Sequence, residues 1–252
     1  MQPLLPESEQ LLKRLESLSG RRVEFVRRSD LPVLASLHIA RNGAIVHQFH
    51  YRPSNQPIDY TLCRQIGIVI RLFQLPASER MDFASDGRGE KVVQEMLSAS
   101  RSLAKADEEA LPAFAQMVNQ WALMQIRSIP IGMRVDAWLH ATFPGLRDLV
   151  AQGLELEQQT NADILSRRIG NLTVPPSQLG PAAAYALFTG RLLGTGRYSI
   201  PFEAAGALPD GQSLLTLFDT IPDDPIHDRQ LVDSWAQHLG MTDWYKWIPY
   251  NP

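Results

Sequence analysis

Three histidines, His38, His47 and His50, fall inside the strand-like phrases "LASLHIA" and "AIVHQFHY". Imidazole is both a general base and a common metal ligand, so the mutual placement of these rings decides what chemistry they could do. Between them stands Asn42-Gly43, a pair that tolerates the positive φ angles of a two-residue hairpin turn. With Arg41 facing Ala44 across that turn, counting back sets His38 opposite His47. Directly opposed Cβ atoms lie about 4.5–5.5 Å apart, which lets two rings share a metal or a substrate anion. His50, three residues beyond His47 on a period-two strand, projects from the other face. His38 and His47 are thus candidate residues of a metal-dependent hydrolase, with a further carboxylate from a later helix unidentified.

Other reactive groups favour structural roles. Cys63 is the only cysteine, which excludes an intrachain disulfide framework and a thiolate zinc cluster. It sits in an apolar helical run, where a buried structural thiol is expected rather than a nucleophile. His227, Asp228, Asp233 and His238 scatter around a helix, as a solvated face beside a Leu231, Trp235, Leu239 stripe would. Arg127, Arg134 and Asp136 flank the proline-glycine phrase "SIPIGM", either shaping a small pocket or holding an elbow as a structural pair. No nucleophile or Gly-rich phosphate loop accompanies them, and "GTGR" near Gly194 is too short for a phosphate fingerprint.

Charge and composition narrow the classes further. A formal charge of -3 gives no global basic field of the kind that marks many nucleic-acid binders. Arg21, Arg22, Arg27 and Arg28 form a local cluster, read first as a solvated strand edge protected from further pairing. The alternative is a nucleic-acid-associated subunit. "WYKWIPY" places Trp244, Tyr245 and Trp247 together, as a partner-binding anchor or as a tail folded back onto its own core. A chain of 252 residues, 44% hydrophobic and 20% charged, can bury a sizeable core and has an ordinary globular composition. The opening "MQPLLPESEQ" lacks a basic segment followed by an apolar one, and no later apolar run reaches membrane-spanning length. The expectation is a cytoplasmic protein, neither secreted nor membrane-spanning.

These residues need elements to position them. "ESEQLLKRLESLSG" spaces Leu11, Leu12, Leu15 and Leu18 as an amphipathic helix ending at Gly20. "RVEFV" is a strand, and Leu34 to Tyr51 a hairpin around Asn42-Gly43. A turn at Pro53, Ser54, Asn55 and Pro57 leads to a helix from Asp59, whose side chain can cap the free amides there. Leu62, Ile66, Val69 and Phe73 form its core stripe, and Pro76 stops it. Helices are expected in "KVVQEMLSASRSLA" and "PAFAQMVNQWALMQIRSI", separated by a solvated "KADEEA". Breaks are expected at Pro130–Gly132 and at Pro144-Gly145. Beyond a proline-rich seam at Asn171 to Pro181, "AAAYALFTGRLLG", "DGQSLLTLFDTI" and "PIHDRQLVDSWAQHLG" read as helices. "TGRYSIPFEAAG" is an irregular connector, and "IPDDP" a helix-start turn.

The helix "DYTLCRQIGIVIRLF", Asp59 to Phe73, resembles the active-site helix of HExxH zinc peptidases, in which two histidines four residues apart bind the metal. In the ImmA/IrrE-like family this helix reads like F-T-L-A-H-E-L-G-H. "Y-T-L-C-R-Q-I-G-I" is similar, with Tyr60, Thr61, Leu62 and Gly67 in matching places. Arg64 and Ile68 then stand where the histidine ligands would be, and Gln65 where the catalytic glutamate would be. Arginine brings a permanent cation, isoleucine offers no lone pair, and glutamine cannot act as a carboxylate base. A later E-A-N-x-F-A-like phrase often supplies the family's third ligand. "EEALPAFA", Glu108 to Ala115, carries an extra residue and no asparagine after Glu109-Ala110.

The combined expectation is an α+β protein with a small N-terminal antiparallel sheet and a predominantly helical remainder. Residues 1–170 would form a zincin-like part and 171–252 a helical C-terminal part, packed as one unit. The resemblance implies a non-catalytic ImmA/IrrE-like protein without metal or cofactor, an interaction or regulatory subunit in bacterial or phage regulation or defence. Its partner would be another protein, with nucleic acid second and no membrane. Arg64, Gln65 and Ile68 mark the degenerate former-site face.

Overall fold

A computed structural model of the chain describes residues 4–31, 33–53, 58–99, 105–166, 168–169, 172–174 and 178–251. Helix α1 (Pro6–Ser19) buries Leu11 and Leu15 and ends at Gly20, whose φ of 68° is the left-handed conformation that lets its N–H reach back to the Glu16 carbonyl. Strands β1 (Arg22–Arg27), β2 (Ala35–His38) and β3 (Val46–Tyr51) form a sheet in the order β1-β3-β2. It is mixed: β2 runs antiparallel to β3, whereas β1 runs parallel to it. The turn forms where expected, with φ of 54° at Asn42 and 81° at Gly43, and the Ala44 N–H donates to the Arg41 carbonyl at 3.0 Å.

Helix α2 (Asp59–Gln74) packs on α1 and β2 and buries Leu62, Ile66, Val69 and Phe73 as the stripe requires. The chain turns extended at Leu75, ahead of Pro76, whose ring disfavours helix at the preceding residue. Residues 54–57 of the expected turn lie outside the described residues.

Strand β4 (Met81–Ser85) and helix α3 (Arg88–Ser98) follow, and β4 was not foreseen. Helix α4 (Lys105–Thr142) then runs unbroken through Pro112 and Pro130. This corrects two expectations: "KADEEA" is the start of the helix, not a separator, and Pro130–Gly132 is not an elbow. A proline removes one backbone hydrogen bond, but the fully or nearly buried Ile126, Ile129 and Met133 bracket it with apolar packing that holds the helix together. The break at Pro144-Gly145 is real, a 3-10 turn before α5 (Arg147–Ala162).

Two-residue strands β5 (Arg168–Ile169) and β6 (Leu172–Thr173) pair antiparallel, and the seam expected at 171–181 lies partly outside the described residues. Helix α6 (Gly180–Leu193) is followed by α7 (Ile200–Ala204), a short helix inside the expected irregular connector. Helices α8 (Leu208–Thr220) and α9 (Asp228–His238) lead to strand β7 (Tyr245–Pro249). The Asp224 carboxylate accepts from the Ile226 N–H at 3.0 Å, the helix-start turn read from "IPDDP". Strands β7 and β4 form a second sheet, antiparallel because Asp86 N bonds Trp244 O and Tyr250 N bonds Arg80 O.

The protein is therefore α+β and predominantly helical. It comprises two compact units, one of Met1–Asp82, Arg134–Leu154 and Ile248–Pro252, the other of Phe83–Met133 and Glu155–Trp247. In the first, Phe49, Leu62 and Ile66 are fully buried. In the second, the core includes Phe114, Ile126, Phe202 and Trp244, and α6 packs closely on α8. A methyl group at Gly211 would stand 2.7 Å from the Ala183 Cβ, so only glycine permits that approach. Among the described residues, no helix is long and apolar enough to cross a membrane.

Candidate functional site

Helix α2 carries Arg64, Gln65 and Ile68, and the first two are bonded within the first unit. The Arg64 Nε donates to Asp136 at 3.1 Å to Oδ2 and 3.2 Å to Oδ1. Asp136 lies near the end of α4 and is fully buried, and the Tyr60 hydroxyl donates to its Oδ1 at 3.2 Å. A carboxylate withdrawn from water needs such partners, because its desolvation cost is otherwise several kcal/mol. Gly67 and Gly153 are held to glycine by close neighbours. A methyl at Gly67 would stand 2.4 Å from Val135 Cγ1, and one at Gly153 of α5 would stand 2.0 Å from the Tyr60 ring.

Gln65 turns to the sheet. The bond from Arg52 N to Leu34 O directs the even-numbered residues of β2 toward β3, leaving the polar groups of Ala35 and Leu37 directed away. The Gln65 amide meets both: Nε2 donates to the Ala35 carbonyl at 3.0 Å, and Oε1 accepts from the Leu37 N–H. It replaces, with one side chain, a length of neighbouring strand. Ile68 is half-buried and presents no donor atom. The face therefore holds a salt-bridged cation, an amide committed to the backbone of β2 and an aliphatic chain.

Asp59 does not cap its own helix as expected. Its Oδ1 instead accepts from the Leu5 N–H at 2.9 Å and the Ser8 hydroxyl at 2.6 Å, securing the start of α1. Ser8 Oγ accepts in turn from the Cys63 thiol at 3.3 Å. Burial pushes that thiol up to about 12, so Cys63 is no thiolate near neutrality.

The histidines are not arranged as the hairpin count implied. His38 faces Gln48, not His47, because the ladder below the turn is shifted by one residue. The physical cause is His47 itself: its Nδ1 accepts the Ala40 N–H at 3.0 Å, replacing a backbone carbonyl and interrupting the ladder. A one-residue shift exchanges faces. His47 is consequently fully buried beside Phe73, with ring centroids 5.7 Å apart, and burial holds its imidazole below the ordinary value. His38 is exposed on the other face, next to His50, with ring centroids 4.3 Å apart. The expected His38–His47 site does not form.

The aromatic tail folds back. Trp244 and Tyr245 are buried in the core of the second unit and are not an exposed anchor. The Tyr245 hydroxyl and the Trp247 indole N–H both donate to Asp233 Oδ1 at 2.7 Å, and Tyr245 stacks on Phe83 at 4.4 Å. Asp233 thus has a structural use that its place on a solvated face did not reveal. Of the basic cluster, Arg22 and Arg27 are exposed on β1, an edge strand of the first sheet, and Arg28 is bonded to Asp30 at 2.8 Å.

Asp136 is the residue that sequence reasoning assigned to the wrong structure, an elbow. The available signal was that Arg64 and Asp136 each interrupt an apolar helical run and so each need an opposite charge. Among the described residues, no group of three or more His, Cys, Asp or Glu side chains could hold a metal ion. No protein-family model, curated protein or solved structure matches the chain.

Proposed function

We propose that this chain is a non-catalytic ImmA/IrrE-like protein that acts by binding another protein, as an interaction or regulatory subunit in a bacterial or phage setting. The observation that carries the reading is the fate of the peptidase-like positions on α2. Arg64 is committed to Asp136 and Gln65 to the backbone of β2, so this face contributes to the fold instead of to hydrolysis. The succession of helix, strand, hairpin and helix in α1, β1, β2–β3 and α2 supports the resemblance. These commitments of Arg64 and Gln65 support a binding role over hydrolysis at α2.

The test combines capture and assay. Affinity-tagged full-length chain is recovered from its native cells, the co-purifying protein is identified, and the complex is rebuilt from purified components. The expected result is a saturable one-to-one complex and no peptide hydrolysis with or without added zinc. Zinc-dependent hydrolysis that is lost on substituting Arg64 or Gln65 overturns the reading. So does salt-sensitive nucleic-acid binding lost on substituting Arg22 and Arg27, if no protein complex forms.

A further inference from the structure

The register shift that dissolves the His38–His47 pair creates another. On the outer face of the first sheet, His38 of β2 pairs with Gln48 and His50 of β3 pairs with Ser36, so the two histidines are diagonal neighbours on adjacent antiparallel strands. Diagonal positions on such a ladder lie within reach of long side chains. Here the ring centroids stand 4.3 Å apart with the ring planes tilted by 31°. His38 is exposed and His50 partly exposed.

We propose that His38 and His50 form a two-imidazole binding site for a divalent first-row transition metal, of the zinc, nickel or copper class. Two imidazole nitrogens bound at about 2.0–2.1 Å to one ion stand about 3 Å apart. Rings 4.3 Å apart between centroids on adjacent strands need a side-chain rotation to turn one nitrogen of each toward a shared ion. His38 Nε2 bonds to Ser36 Oγ and His50 Nε2 to Gln48 Oε1, both at 3.1 Å and both exposed. Such bonds exchange readily with water and do not lock the rings.

Arg28, the nearby cation, is paired with Asp30 through two bonds of 2.9 and 2.8 Å, which blunts its repulsion of a bound dication. No third His, Cys, Asp or Glu among the described residues completes the site, so the remaining coordination positions fall to water. Selectivity then follows ligand chemistry, with imidazole suiting nickel, copper and zinc and not magnesium or calcium. The site is independent of the partner-binding reading and lies on the opposite face of the sheet from His47.

The experiment is titration of the full-length chain with nickel or zinc salt alone, followed by calorimetry and by the imidazole NMR signals. The expected result is a single saturable site at which the His38 and His50 signals respond together. H38Q and H50Q each weaken binding by about tenfold or more, because the second imidazole's effective concentration is lost. H227Q, a change at a partly exposed histidine elsewhere, leaves it unchanged. Both ligands are on the surface, and an unaltered urea midpoint shows that the variants remain folded. The Ser36→Ala, Gln48→Ala double variant keeps both rings and should retain binding even if H38Q disturbs β2. Binding of wild-type strength in H38Q or H50Q, or no binding beyond that of a single surface imidazole, overturns the proposal.

Discussion

The Arg64 guanidinium and the Asp136 carboxylate are in salt-bridge contact at 3.1 Å, with side-chain exposures of 15% and 0%. Seventy-two positions apart in sequence, they place the cation of one helix against the anion of another where water is largely excluded. A buried pair of this kind contributes little beyond an apolar pair of equal volume, yet losing one member leaves the other stranded.

Replacing Asp136 with alanine should therefore destabilise the fold by about 3–5 kcal/mol, since Arg64 loses this carboxylate and the Tyr60 hydroxyl loses this acceptor. Arg64→Met combined with Asp136→Leu should cost less than Asp136→Ala alone. Urea denaturation of the single and double variants measures the coupling, and strictly additive losses would contradict a direct pair.

Gln65 makes a sharper distinction between related side chains. Gln65→Ala leaves the outward polar groups of Ala35 and Leu37 without this partner, a loss of about 1–3 kcal/mol. Gln65→Glu should be worse near neutrality, because a carboxylate accepts from Leu37 but cannot donate to the Ala35 carbonyl. Hydrogen exchange at the Leu37 amide reads the effect directly. Unchanged protection in Gln65→Ala would show that the side chain does not secure β2.

Gly67→Ala tests the close packing of α2. The new methyl would stand 2.4 Å from Val135 Cγ1, and overpacking of this kind costs about 1–3 kcal/mol. Because the two nearest atoms are both on the Val135 side chain, Val135→Ala in the same chain should restore much of the loss. A Gly67→Ala protein as stable as wild type would mean that the helices separate without cost.

His47 makes stability depend on pH. Burial depresses its folded-state value, while the unfolded imidazole titrates near about 6.5. Below about pH 6.5 the unfolded chain takes up the proton more readily, so stability present above that pH is lost as pH falls through the depressed folded value. His47→Gln keeps an acceptor for the Ala40 N–H and removes the titration. Urea midpoints between about pH 7.5 and 5 should fall more steeply for wild type than for this variant. Parallel curves would assign the acid sensitivity elsewhere.

Periodicity alone determined much of this protein. The stripes of α1 and α2, the glycine stop at Gly20, the Asn42-Gly43 turn and the break at Pro144-Gly145 all follow from local rules, since each depends on residues within a few positions. So does the α+β class, and so does the chemical character of the α2 face, which is a matter of the atoms that Arg64, Gln65 and Ile68 carry. Tertiary structure decided what those side chains do. Asp136 reaches Arg64, Gln65 reaches the edge of β2, and Asp59 secures α1 only because distant segments pack together. It decided the histidines as well: one imidazole taking the Ala40 N–H shifted a ladder by one residue, buried His47 and brought His38 beside His50. Pro130 stays helical for the same reason, because the packing of Ile126, Ile129 and Met133 outweighs one missing backbone bond.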